Sequence, residues 1–272
     1  MKALRKIALV LGILAAGAAS LEVGYYLVSI TPKATIRATE FVHSMAFSPD
    51  GRSLAFTAGI SDSIVVWDLD RGQGSRTVRL DRGQVGCLGV SPDGTTLAAA
   101  VWIENKEHLR MWDVSDSRTH VIPTSPESRI PSWVVRSHSD CGGKYRVTGD
   151  DRWYPKRVVI TDPRTNQIVS RIAGHPENYI NDWLFTKDGD VFITAGGYNS
   201  HAWPVNRGGD VRLWDVKTGR RMATLSTSWM LNSHWGAIDT LAISSDGKRL
   251  ATGGADGLIK LWDLAEIRNR CK

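Results

Sequence analysis

Short runs of apolar residues, many alternating with polar ones, recur along most of the chain, and each run is closed by a turn signal. Alternation with a period of two predicts a strand with one buried face. One set of runs, such as Met45-Ala46-Phe47 and Leu241-Ala242-Ile243, leads into a turn. These turns read Ser48-Pro49-Asp50-Gly51, Ser91-Pro92-Asp93-Gly94, Thr186-Lys187-Asp188-Gly189 and Ser245-Asp246-Gly247. Asp-Gly between two short strands predicts a hairpin, because glycine takes a positive φ without steric cost. A second set of runs ends in Trp-Asp: Val66-Trp67-Asp68, Met111-Trp112-Asp113, Leu213-Trp214-Asp215 and Leu261-Trp262-Asp263. Trp67 and Trp112 are 45 residues apart and Trp214 and Trp262 are 48 apart, which suits four short strands per unit. Thr161-Asp162-Pro163 marks a degenerate unit between them, with Thr in place of Trp.

The alternation of Asp-Gly hairpins and Trp-Asp strands over residues 34–267 resembles the WD40 family. The last unit matches best, through His234, Leu250-Ala251-Thr252-Gly253-Gly254-Ala255-Asp256-Gly257 and Ile259-Lys260-Leu261-Trp262-Asp263. The resemblance implies an all-β fold, a single propeller of about five four-stranded blades. It also implies a hydrogen-bonded tetrad of His234, Thr252, Asp256 and Trp262, complete only in that last blade. A buried indole N–H and a buried carboxylate both need partners, and an imidazole can bridge them. The fourth unit keeps Gly174-His175, Thr194 and Trp214, but its Asp210 lies closer to the Trp, and the first two units lack the His. The chain stops after the third strand of the last unit. Residues 34–39 read as an outer strand that would complete that blade and close the ring. An open arc completed by another chain is the alternative, and it would make the protein an oligomerisation module.

The N-terminus has a different pattern. Lys2, Arg5 and Lys6 precede an apolar stretch over residues 7–30, and its 24 residues are enough to cross a bilayer of ~30 Å. Residues 1–30 are therefore expected to be a signal anchor, with the propeller on the extracytoplasmic side. A cleaved signal, ending among Ala16, Ala18 and Ser20 and releasing a secreted or periplasmic protein, is the alternative. Residues 268–272 read as a basic tail.

Composition changes this picture little. The net charge of +6 owes much to the two ends, and no basic cluster survives in the body, so no nucleic-acid partner is expected. The three cysteines show no metal spacing, and Cys87 sits in an apolar strand pattern as a small buried residue. The seven histidines show none either, so neither metal nor cofactor is expected.

The more telling count is 11 Trp, many of them outside the repeats. In a propeller, the loops leading into each inner strand and the turns between second and third strands share one face. On this sequence they carry Trp102, Trp153, Tyr154, His201, Trp203, Trp229 and Trp235, with Asp182 and Asp239 at the channel mouth. Aromatic side chains offer large, rigid contact area, so this face is expected to bind a protein or peptide. A small-molecule substrate is not expected. No GxSxG, Walker, HExxH or GxGxxG pattern is present, and Ser137-His138-Ser139-Asp140 cannot converge from one strand. The competing enzyme reading is a carbohydrate-active five-bladed propeller using Asp182 and Asp239, with His43 at the matching place in the first blade.

Overall fold

The computed structural model describes residues 31–38, 40–57, 59, 63–80, 82–114, 120–125, 129–131, 134, 143–151, 155–175, 179–197, 209–225 and 236–270. The apolar stretch 7–30 and residues 271–272 lie outside them. Within the described residues no helix is long and apolar enough to cross a membrane.

Among the described residues the strands form four four-stranded sheets and one three-stranded sheet, all antiparallel. The first sheet runs β2 (Met45–Phe47), β3 (Ser53–Thr57), β4 (Ser63–Asp68) and β5 (Gln73–Arg79). The second runs β6 (Gln84–Val90), β7 (Thr96–Ile103), β8 (Lys106–Asp113) and β9 (His120–Ile122). The third holds β10 (Arg146–Gly149), β11 (Val158–Thr161) and β12 (Ile168–Ile172). The fourth runs β13 (Tyr179–Phe185), β14 (Val191–Gly197), β15 (Asp210–Asp215) and β16 (Arg221–Leu225). The fifth holds β17 (Ile238–Ile243), β18 (Arg249–Gly254) and β19 (Leu258–Asp263), with β1 (Ala34–Arg37) added outside β19.

Position in the sheet explains the side-chain patterns. In the four-stranded sheets the strands β3, β7, β14 and β18 are packed on both faces, and every residue of β14 is buried. The outer strands alternate, and only Ile36 of β1 is buried. The N-terminal clasp is therefore as expected, with Ala34 opposite Leu261 and Arg37 opposite Leu258. Neighbouring sheets share cores: Ala242, Ala251 and Leu261 of the fifth pack with Met45, Leu54 and Phe56 of the first. This contact, with β1, joins the first and last sheets within one chain.

The four Asp-Gly turns are built alike. Ser48, Ser91, Thr186 and Ser244 each donate a hydroxyl to the Asp two residues on, at 2.6, 2.5, 2.5 and 2.5 Å. Each carboxylate also accepts the N–H two residues further, from Arg52, Thr95, Asp190 and Lys248. The Asp of Trp-Asp serves the next turn: Asp68 Oδ1 accepts the N–H groups of Asp70 and Arg71, both at 2.9 Å.

The tetrad departs from expectation. Its complete hydrogen-bond chain is seen in the fourth sheet, where Trp214 Nε1 donates to Thr194 Oγ1 at 2.9 Å. Thr194 Oγ1 lies 2.9 Å from His175 Nε2, and His175 Nδ1 lies 2.6 Å from Asp210 Oδ1. The carboxylate can only accept, so Nδ1 carries the proton and Thr194 donates to Nε2. Burial alone would raise the Asp210 pKa, but the hydrogen bond from His175, with the positive charge of Arg212 behind it, holds it below the usual carboxylate value. In the fifth sheet Trp262 Nε1 donates to Thr252 Oγ1 at 3.1 Å, while His234 lies outside the described residues.

The expected basic tail is largely helix. Helix α1 (Leu264–Arg270) buries Leu264 and Ile267, one turn apart, in the core shared by the fourth and fifth sheets. Asp263 caps it by accepting the Glu266 N–H at 2.8 Å. Arg268 reaches Asp188 at 2.8 Å and Glu266 reaches Lys33 at 2.6 Å, so these charges are used within the fold.

Candidate partner-binding site

The site is built where the inner strands begin. In three sheets the pairing of inner and second strands slips by one residue, at Gly86, Asn181 and Asp239. In the first sheet His43 and Ser44 both donate their N–H to Thr57 Oγ1, at 3.2 and 3.1 Å. A bulge turns its extra residue out of the ladder, and here that places His43, Gly86, Asn181 and Asp239 at matching positions on one end of the ring.

The residue after each bulge turns inward and can fasten one blade to the next. Ser44 Oγ accepts the Leu88 N–H of the second sheet at 3.1 Å. Asp182, only 3% exposed, accepts the Leu241 N–H of the fifth sheet through Oδ2 and its neighbour Trp183 through Oδ1, both at 2.7 Å. Asp182 is thus a buried clasp between blades, not an open carboxylate at a channel mouth. That removes one of the two acids required by the carbohydrate-active reading.

Asp239 sits differently. Asn181 Nδ2 from the neighbouring blade donates to its Oδ1 at 3.3 Å and to the Ile238 carbonyl at 3.1 Å. Burial, aided by the negative charge of Asp256, pushes the Asp239 carboxyl up to about 7. Lys260 is 2% exposed, and burial lowers its ammonium to about 8 against the opposing pull of Asp256. This end of the fifth blade is therefore a half-buried polar rim whose charge changes near neutral pH.

Between the first and second blades the same end opens into a cleft of about 550 Å³, lined by His43, Thr57, Gln84, Val85, Gly86 and Trp102. Trp102, at the end of β7, is 48% exposed. Its indole lies over Gly86, where an added Cβ would meet Nε1 at 3.0 Å and Cδ1 at 3.1 Å. The missing side chain at the bulge is what lets the ring lie flat as the cleft wall. His43 meets Phe41 edge to face, with centroids 4.6 Å apart, and partial burial holds its pKa below the usual value. A neutral imidazole and an indole make a surface suited to apolar and hydrogen-bonding contacts rather than to metal binding. No cluster of metal-ligating side chains occurs among the described residues.

Of the residues named from sequence, the structure places Trp102, Asp182 and Asp239 at this end, and Thr252, Asp256 and Trp262 within the fifth blade. Trp153, Tyr154, His201, Trp203, Trp229, His234 and Trp235 lie outside the described residues. Gly86 and Asn181 were not anticipated. Their signal is positional: each stands just ahead of the apolar stretch of an inner strand.

A profile of the "WD domain, G-beta repeat" family matches residues 30–68 and 225–263. Target of rapamycin complex subunit wat1 of Schizosaccharomyces pombe is 24% identical over 82% of this chain and 78% of its own length. Cell division cycle 20.4, cofactor of APC complex, of Arabidopsis thaliana is 26% identical over 78% of this chain and 44% of its own length. Guanine nucleotide-binding protein subunit beta of Zea mays is 24% identical, covering 84% of this chain and 58% of its own. The chain thus spans about half the length of the latter two. Each is named as a subunit or cofactor. The matched repeats at both ends, and the five antiparallel sheets among the described residues, are what the chain shares with the WD40-repeat family.

Proposed function

We propose that the protein is an interaction scaffold that binds a protein or peptide across the end of the propeller bearing Trp102, His43, Asn181 and Asp239. The carrying observation is the cleft between the first two blades, walled by a half-exposed indole seated on Gly86. A partly exposed Trp beside a recess is the usual form of a binding hot spot, because it loses much water-exposed apolar area on contact. The names of the relatives, all belonging to larger complexes, support the same reading. The apolar stretch 7–30 further supports a scaffold held at a membrane, with the propeller on the extracytoplasmic side.

One experiment addresses both parts. The tagged full chain is recovered from cells after alkaline extraction of membranes, and its associated proteins are compared among wild type, Trp102→Ala/His43→Ala, and Ile168→Ala. Ile168 is exposed on the outer strand β12 and serves as the control. A defined set of associated proteins should disappear with the double variant alone, and the chain should stay in the extracted membrane pellet. Identical sets from all three proteins would remove the site, and release at alkaline pH would remove the anchor.

A further inference from the structure

A second space borders the same β7–β8 hairpin and has a different chemistry. It is a hollow of about 320 Å³ lined by Arg82, Glu104, Lys106, His108, Arg110 and Thr124. It exists because the outer strand of the second blade is short. β9 pairs only with Met111, Trp112 and Asp113, so no described strand flanks the first half of β8. Lys106, His108 and Arg110 occupy alternate positions of that uncovered half and so share one face. Arg82 comes from the loop leading into β6. Glu104 and Asn105 both take positive φ, 49° and 61°, forming a tight two-residue turn that returns Lys106 opposite Ile103.

The cations around this hollow differ from others of the fold in their ion pairing among the described residues. Arg212 is held by Asp210 at 2.7 Å and Arg268 by Asp188 at 2.8 Å. Arg82, Lys106 and Arg110 form no ion pair with the described residues, and among those residues Glu104 is the one carboxylate in the lining. Within the described lining, three cations against one carboxylate leave an excess of two positive charges. The Thr124 hydroxyl already donates to the Leu109 carbonyl at 2.7 Å, so the free donors are the guanidinium forks, the ammonium and the imidazole. Forked guanidinium donors, an ammonium and a twofold charge excess are complementary to a tetrahedral oxyanion carrying two charges.

We propose that this hollow binds a phosphate dianion presented by a soluble ligand, either free phosphate or the phosphorylated side chain of a peptide. Arg110 and His108 are half-buried, which favours a ligand that reaches in over the flat surface of a bilayer. The site is separate from the Trp102 cleft, and it stands or falls independently of partner binding there.

The test titrates the full chain with inorganic phosphate and with O-phosphoserine by calorimetry, using chloride at matched ionic strength and serine as controls. Both phosphates should bind saturably. Arg82→Gln/Arg110→Gln should weaken binding by about tenfold or more, as loss of charge-assisted hydrogen bonds requires. Glu104→Gln should tighten it by about threefold by removing the opposing charge, a gain that misfolding cannot mimic. Tighter binding of O-phosphoserine than of phosphate assigns a peptide side chain as the source, and equal binding assigns free phosphate. Equal affinities in wild type and both variants would overturn the proposal. So would binding of phosphoinositide vesicles through these residues with no binding of either soluble phosphate.

Discussion

Thr194 is the junction of the fourth blade's buried network. Its hydroxyl oxygen accepts from Trp214 and its proton goes to His175, which in turn holds Asp210. All four groups are shielded from water, so removing one hydroxyl strands the others. Thr194→Val, which keeps the volume, should destabilise the fold by about 2–3 kcal/mol, the cost of leaving a buried indole N–H and an imidazole nitrogen without partners. Denaturant unfolding at neutral pH measures it, and a loss below about 0.5 kcal/mol would show that the network is not a stabilising unit. Sequence revealed three of the members and misjudged the fourth. Asp210 stands four residues before its Trp, whereas Asp256 stands six before Trp262. The shorter spacing works because Asp210 pairs across the sheet with Gly196, and a Cβ at Gly196 would come within 2.6 Å of His175 Nδ1. The glycine admits the imidazole, and the residue opposite it is then within reach. That coincidence depends on register, which spacing within one strand does not contain.

At the scale of elements, β1 and α1 finish the ring from its two ends. β1 was readable in advance because the last repeat lacks an outer strand and residues 34–39 have the right pattern. α1 was not, because Arg268 and Arg270 mask the apolar pair Leu264 and Ile267 and the Asp263-x-x-Glu266 cap. The clasp rests on little apolar area, since Ile36 is the one buried side chain of β1. Ile36→Asp should therefore undo it, costing about 3 kcal/mol through lost burial and a carboxylate placed against Ile259. β19 would then present an unpaired edge. The variant should melt earlier and also associate as concentration rises, seen by light scattering. A variant as monodisperse and stable as wild type would mean that α1 and the β17–β2 contact close the ring without β1.

Over the whole molecule the repeats set an acid limit, while the binding end works against stability near neutrality. Each Asp-Gly turn holds its carboxylate below the ordinary value of 3.8, and Asp93 and Asp188 are brought to about 2. For Asp93 the main cause is the Ser91 hydroxyl. For Asp188 the hydrogen bonds and Arg268 overcome the opposing effect of burial. Stability from these turns is fully present above about pH 4 and is lost as pH falls towards 2, where the folded chain must take up protons it otherwise excludes. Asp239 has the opposite sign. Its folded value of about 7 means that it keeps a proton the unfolded chain releases, so its contribution is lost as pH rises from about 4 to about 7. His43, lowered by burial, tilts the profile the other way below its ordinary 6.5, so the Asp239 limb must be read as a difference between proteins. Asp239→Asn fixes the uncharged form. Its stability advantage over wild type should be near zero at pH 4, grow as the pH rises and level off above 7. Asp93→Asn/Asp188→Asn should alter only the acid limb. Denaturant midpoints from pH 2 to 8 would show both, and a constant offset between Asp239→Asn and wild type would refute the buried acid. The same carboxyl sits at the proposed binding end, where a cationic partner group would favour its ionised form and so lower its pKa on binding.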